Sequence, residues 1–523
     1  MSDSDPKPEA QVGAEPGVEA SVEPAAKLGT EASARNSGEP GTWFTRRFPF
    51  RYALLLIPLL CVAMAIVTIV LVPNWHGTVA AKSSASISKA KADALTAERT
   101  ILVLESALHL VCMPGLASGD EILGDGLAAA LADAAVTSRA SQSTLGEANS
   151  MLDGASSLLH GFVVSGDTEG ELRGLVADSC RPTLGDLYVV AGSTMVGETS
   201  VLYLSNPSET SVTVTIDGYG ETGQIAEGTQ TVTVPAGQTQ AVLLAIWYPQ
   251  QERLGLHLQA DAGGIVAWVQ NSSQEGDIPQ GVTTIPATSA TSQATFVGVS
   301  ESDETYLRIL NPGSEMMTVR VDVSGEEGTE TLAGAETIQV NAGAVFDVSL
   351  DGIGEENSSI LVTAVGDSES AVFSATVFEA ITGNVSSEDK TISYHALTNA
   401  TNTAASTDFT LPGSEWLEVV NKRGFTDVTA TVVVSAQEET TLSFGSNSGG
   451  GTSSSKTITI EGGATQTLDL PEGELVAATA SFPVQISVVV EAQTESGLVR
   501  AVLPVLGDSE TNTTRRVELT PSF

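Results

Sequence analysis

Val201–Gly223 reads VLYLSNPSETSVTVTIDGYGETG. An apolar run stops at Asn206-Pro207, a polar stretch follows, and Val212, Val214 and Ile216 then alternate with Thr213 and Thr215. Period-two alternation around an Asn-Pro break marks two half-buried β-strands joined by a turn. The pattern returns. Tyr306–Gly328 reads YLRILNPGSEMMTVRVDVSGEEG, and Trp416–Glu439 reads WLEVVNKRGFTDVTATVVVSAQEE. Each copy is expected to hold an apolar strand, a turn at Asn206, Asn311 or Asn421, and a second strand.

A second signature follows each copy: TVTVPAGQTQAVLL from Thr231, TIQVNAGAVFDVSL from Thr337 and TITIEGGATQTLDL from Thr457. Gly237, Gly343 and Gly463 occupy its turn. A third shared run closes each unit: LGLHLQADAGGIVAWVQ, ILVTAVGDSESAVFSATVF and LVAATASFPVQISVVVEAQ. A period of this length means an array of modules. Short strands with frequent turn residues and little helix signal predict a mainly β chain. The expected architecture is tandem immunoglobulin-like β-sandwich modules at 184–290, 293–400 and 412–510, standing in a row. The insert GSNSGGGTSSS at 445–455 reads as a flexible loop of the third.

Upstream the text changes. Ala53–Val72 is ALLLIPLLCVAMAIVTIVLV, twenty uncharged residues, which matches the hydrocarbon thickness of a bilayer in helical form. We expect a transmembrane helix over 52–73 that holds the chain in the membrane through residues 53–72. Arg46, Arg47 and Arg51 precede it and the first base after it is Lys82, so the positive-inside rule puts the N-terminus in the cytoplasm and the rest outside. A cleaved leader ending at Ala81 is the alternative, although its length argues against one. Residues 1–45, rich in Glu, Ala, Pro and Gly, read as a disordered cytoplasmic tail. Residues 82–99 favour helix and read as a short stalk. Residues 100–182 read as a small mixed or β membrane-proximal domain.

Charge is lopsided, with 64 acids against 23 bases and a net of −41. Residues 1–51 hold 8 of those acids and 6 of the bases, so the exterior side carries almost all of the excess. That balance excludes nucleic acid as a partner. Of 3 cysteines, Cys61 lies in the apolar span. The other two, Cys112 and Cys180, sit in an oxidising setting if the topology is right, which favours a disulfide over two free thiols.

The stretches RTILVLESALHLVCMPG at Arg99–Gly115, LVADSCRPTLGDLYVVAGSTMVGETSVLYLSNP at Leu175–Pro207 and the VPAGQTQ turn resemble an actinobacterial family of membrane-anchored extracellular proteins of unknown function. Most of 99–510 takes part, with Cys112, Cys180 and the Asn-Pro turns at Asn206 and Asn311 as its marks. The third copy lacks a proline after Asn421. The resemblance implies a single-pass envelope protein and no assigned activity.

Motifs of chemistry are sparse. Gly218–Gly223 spells GxGxxG, but the text after it reads as another strand where a dinucleotide site needs a helix. There is no HExxH, GxSxG or CxxC, and the 5 histidines stand apart in sequence. No cofactor, metal or catalytic residue is assigned. Acidic stretches at 300–304 and 366–370 lack calcium-loop spacing. Trp247-Tyr248 in AIWYPQ is the best candidate for ligand contact, by stacking on a sugar; Trp268 sits in an alternating strand and reads as core. The expectation is a structural or interaction protein of the cell envelope, without catalysis, whose partner is an extracellular protein or a cell-wall glycan. A glycan-binding protein using the sandwich modules is the first alternative and an unrecognised enzyme the second.

Overall fold

The computed structural model describes residues 160–507 apart from 227, 355–356, 388–389, 446–454 and 474, together with 101–103, 108–113, 115–117, 135–139, 151–154 and 515–517. The expected tail at 1–45, membrane helix at 52–73 and stalk at 82–99 lie outside the described residues. Among the described residues no helix is long and apolar enough to cross a membrane. The described residues all fall in one unit, Thr100–Phe523.

That unit is mainly β. It begins with β1 (Ile101–Val103), β2 (Leu108–Val111), β3 (Ala135–Arg139), β4 (Met151–Gly154), β5 (His160–Asp167), β6 (Gly174–Ser179) and β7 (Arg181–Pro182). β2 lies between β4 and β7, and β5 lies between β3 and β6.

Module 1 follows with β8 (Asp186–Ala191), β9 (Glu198–Asn206), β10 (Val212–Gly220), β11 (Gly223–Gln224), β12 (Gln230–Val234), β13 (Gln238–Leu243), β14 (Leu254–Ala260), β15 (Val266–Glu275) and β16 (Ile278–Pro286). One sheet runs β8-β14-β10, with β11 and β12 sharing the far edge of β10; the other runs β13-β9-β15-β16. Leu187 and Val189, Leu202 and Leu204, and Val212, Val214 and Ile216 meet in one core between the sheets. These are alternate residues on their strands, so the period-two pattern is what buries one face of each. The GxGxxG is the β10–β11 hairpin, with Gly220 opposite Gly223.

Module 2 repeats the plan with β17 (Gln293–Val299), β18 (Glu304–Leu310), β19 (Met317–Gly325), β20 (Gly328–Thr331), β21 (Ile338–Val340), β22 (Val345–Ser349), β23 (Ser358–Ala364), β24 (Ser374–Ser387) and β25 (Lys390–Ala400). Its sheets run β17-β23-β19, with β20 and β21 on β19, and β22-β18-β24-β25.

Module 3 comprises β26 (Ser406–Pro412), the short helix α1 (Leu417–Asn421), β27 (Thr426–Ala436), β28 (Thr440–Gly445), β29 (Ser455–Ile460), β30 (Thr465–Asp469), β31 (Leu475–Thr494) and β32 (Gly497–Val505). A last strand, β33 (Arg515–Val517), pairs antiparallel with β1. Module 3 thus begins at Ser406, earlier than the 412 expected. The first half of β31 pairs with β26 and β28, its second half with β27 and β32. One long strand therefore serves both layers where modules 1 and 2 use two strands and a turn. Its text around Ser481-Phe482-Pro483 has no Gly-Asp turn, and Pro483 offers no N–H to a ladder at the changeover.

This layout corrects the expected strand and turn at Asn421. Trp416 ends a 3-10 turn, and Leu417–Asn421 are helical. The partner of β9 and β18 in module 3 is β27. Ala436 N–H donates to Ala464 O, as Asn311 N–H donates to Ala344 O, and Asn206 lies opposite Gln238. Each of these partners follows the turn glycine, so Asn206, Asn311 and Ala436 are the equivalent positions. The aligned text carries the signal: Ser205-Asn-Pro-Ser-Glu-Thr210 against Ser435-Ala-Gln-Glu-Glu-Thr440. Gly237, Gly343 and Gly463 keep their shared place, with φ of 63°, 64° and 81°, a left-handed conformation that glycine adopts without strain.

The modules do not stand in a row. β16 of module 1 packs on β25 of module 2, β25 packs on β32 of module 3, and β6 packs on β16, β25 and β32. The expected separate domain at 100–182 has no independent core among the described residues. On β5 and β6, Phe162, Val164, Leu175 and Ala177 enter the core of module 3. The intervening Val163 and Val176 join Cys112, Cys180, Tyr203 and Trp268 against module 1. A ribbon buried on both faces reads in sequence as a plain apolar run, which is how HGFVV and GLVA appear. The contacts close a circuit: module 1 to 2, 2 to 3, 3 to the ribbon, and the ribbon back to module 1.

Candidate functional site at the seam between modules 1 and 2

Alternation along β18 aims Glu304, Tyr306, Arg308 and Leu310 at one face of its sheet, away from the core of module 2. At one end, Leu310 and Val345 meet Val190 and Tyr219 of module 1 in an apolar contact. Next to it lies a polar clasp. Arg308 Nε and one terminal nitrogen donate to both oxygens of Asp347 at 2.7 and 2.8 Å. The other terminal nitrogen donates to Ala191 O and Gly192 O of module 1 at 3.2 and 2.9 Å. Arg253 of module 1 donates to Asp347 at 2.8 Å. A planar guanidinium serves such a two-sided clasp where an ammonium would not. Arg308 also lies over the rings of Tyr306 and Phe378, 5.3 and 5.5 Å from their centroids.

Beyond the clasp the surfaces separate and leave a cavity of about 230 Å³. From module 2 come the stacked rings of Tyr306 and Phe378, 5.2 Å apart, with Ala380 and Leu397 beside them. From module 1 come Glu198, Asn271, Ser273 and Gln280. Ser273 Oγ donates to Glu198 Oε1 at 2.6 Å, and Asn271 Oδ1 accepts from Ser200 Oγ at 2.8 Å. A Cβ on Gly192 would displace the Asn271 side-chain amide from this position. Burial pushes the Glu198 carboxyl above its ordinary range, against the hydrogen bonds from Ser273 and Asn271 and the charge of Arg308. Burial likewise carries the Tyr306 phenol up to about 12, although Arg308 pulls it down.

A second cleft, of about 510 Å³, opens between modules 2 and 3 and is lined by Glu301, Asp303, Glu491 and Arg500 among others. Arg500 of β32 pairs with Glu379 of β24. It also donates to Gly298 O at 2.7 Å and Asn357 Oδ1 at 2.6 Å. Glu379 accepts from Ser300 N–H at 2.7 Å. Among the described residues no group of three or more His, Cys, Asp or Glu is placed to hold a metal ion.

The residues singled out from sequence fall elsewhere. Tyr248 is fully buried, and its hydroxyl donates to Gly228 O at 2.5 Å. It belongs to the core of module 1, so the expected stacking of a ligand on Trp247-Tyr248 does not apply to Tyr248; Trp247 is half-buried and packs on that core. Trp268 is buried against Tyr203, with ring centroids 5.4 Å apart. Cys112 and Cys180 are joined by a disulfide beside the β2–β7 pairing. Asn206 Nδ2 donates to Thr210 O and Val234 O at 2.8 and 3.0 Å. Asn311 Nδ2 donates to Glu315 O and Val340 O at 2.8 and 3.1 Å. These asparagines lock turns.

Sequence reading missed Glu198, Tyr306, Arg308 and Phe378. Each sits in an ordinary strand: Tyr306 and Phe378 are opposite each other on β18 and β24 with Arg308 over their rings, and the contact between modules brings Glu198 to them. The one available signal was an arginine in the apolar run YLRIL, where a buried charge needs a partner.

The chain belongs to DUF5719, a family of unknown function, whose model matches residues 136–471. No curated protein matches it. Among solved structures, the chain is similar to a tetra-tandem repeat in the extending region of a large adhesion protein. That likeness has 15% identity and a TM-score of 0.10, and covers 72% of this chain and 92% of the other.

Proposed function

We propose that the chain is a single-pass, membrane-anchored, extracellular structural or interaction protein of the cell envelope that acts without catalysis. It presents three β-sandwich modules of immunoglobulin-like size and layering as one body. The observation that carries this reading is the continuity of the cores. Val433, Val489 and Val502 of module 3 lie in the core of module 2, and residues of the β5–β6 ribbon lie in that of module 3. Modules on flexible linkers move independently, whereas modules that share apolar cores hold their surfaces at fixed spacing. That suits a scaffold. The uncharged stretch at 53–72 supports the anchor, and the acidic excess beyond it supports a soluble, exposed surface.

Protease added to intact cells tests the topology. Digestion of the part beyond residue 80, with the first 50 residues spared, is expected. The reverse pattern overturns the orientation, and release of a soluble species trimmed after Ala81 overturns the anchor.

A further inference from the structure

We propose that the cavity at the seam of modules 1 and 2 binds a small, neutral, hydroxyl-rich ligand of the class of a single sugar ring or cyclic polyol. The evidence is the division of its walls. Module 2 supplies the apolar groups, Tyr306, Phe378, Ala380 and Leu397, beside the charged Glu304, Arg308 and Glu379. Module 1 supplies Glu198, Asn271 and Gln280, a wholly polar side. A sugar ring has the same two-sidedness, with C–H groups over its face and hydroxyls around its rim. The partly exposed Tyr306 ring offers the first an apolar partner. Carboxylate and amide groups offer the hydroxyls acceptors and donors.

Charge narrows the class. Glu198 and Glu304 both line the cavity and repel an anion. Arg308 offers an anion little, because its charge is already met by Asp347 and four of its five N–H donors are engaged by Asp347, Ala191 and Gly192. A neutral ligand whose hydroxyls donate to Glu198 meets no such repulsion. Ser273 donates to one oxygen of that carboxylate, and a carboxylate has about four lone-pair sites in all.

Size narrows it further. At about 230 Å³ the cavity falls just under the range of about 300–1,000 Å³ that holds drug-sized molecules. One ring fits within it. Glu304 is exposed, so the mouth opens to solvent at the rim of β18. This inference goes beyond the scaffold role and does not depend on membrane topology.

The test uses the full chain purified in detergent. Methyl glycosides of glucose, galactose, mannose and arabinose, and myo-inositol, are titrated at millimolar concentration by calorimetry and by saturation-transfer NMR. At least one probe is expected to bind, with transfer to its ring C–H protons. Glu198→Gln and Tyr306→Leu, each verified as folded by circular dichroism and thermal melting, are expected to weaken that binding by about tenfold or more, the ratio for one lost hydrogen bond to a charged group. Phe482→Ala, at an exposed position of module 3 outside the cavity lining, is expected to leave it unchanged. Absence of binding by every probe overturns the proposal. So does binding that survives both cavity variants, or that Phe482→Ala abolishes. A negative titration leaves the envelope reading standing, because protease accessibility decides that one independently.

Discussion

Arg500 and Glu379 form an ion pair that joins module 3 to module 2, with side chains only 3% and 1% exposed. Each partner is held further by groups of module 2: Gly298 O and Asn357 for the arginine, Ser300 N–H for the glutamate. Such a pair adds little over a well-packed apolar pair, but loss of one partner strands the other charge out of water. Glu379→Ala is therefore expected to cost about 3–5 kcal/mol. Glu379→Leu combined with Arg500→Met is expected to cost clearly less. Urea unfolding of the two variants checks this, and equal losses would contradict it.

The turn asparagines differ sharply in what they hold. Asn206 is fully buried and its amide satisfies carbonyls of two segments, while Asn421 is exposed at the end of α1. Asn206→Ala and Asn311→Ala are each expected to cost about 2 kcal/mol through unsatisfied buried groups. Asn421→Ala is expected to stay within about 0.5 kcal/mol of the parent. Thermal melts of the three variants decide whether the equivalence runs to Ala436, as the strand pairing has it, or to Asn421.

The disulfide closes a sequence separation of 68 residues, for which the chain-entropy account gives about 4 kcal/mol. Cys112 and Cys180 are buried where the ribbon meets module 1. Replacing both with serine is expected to lower stability by about that amount. Limited proteolysis is expected to cut first within 160–182, ahead of the modules. Unchanged cleavage in that segment would show that the apolar faces hold the ribbon unaided.

Glu198 gives a pH dependence of fixed sign. Its carboxyl titrates above its unfolded value because burial disfavours the charge, so the folded state binds the proton more tightly than the unfolded chain does. The associated stability is fully present below the unfolded value of about 4.3 and is lost as pH rises through the folded value. Relative to the parent, Glu198→Gln is expected to gain in melting temperature from pH 4 to pH 7. A difference that is flat or falls over that window would contradict the assignment.

The strand text itself determined much of this protein. Val212, Val214 and Ile216 alternate with threonines, and only a sheet with one buried face uses that period. The recurrence at Tyr306 located a second module, and the three turn glycines marked a backbone shape that does not depend on distant residues. Tertiary structure decided the rest. Trp416–Asn421 has the composition of a strand but lies in a short helical segment, because β27 takes the place the pattern assigned to it. The β5–β6 ribbon looked like a small domain, although its two faces belong to the cores of modules 3 and 1. Tyr248 looked like a surface aromatic until its hydroxyl met the carbonyl of Gly228. The seam cavity was invisible because Glu198 and Tyr306 are 108 residues apart and meet only where two modules touch. Periodicity records which face of a strand is buried; it holds no record of which other module does the burying.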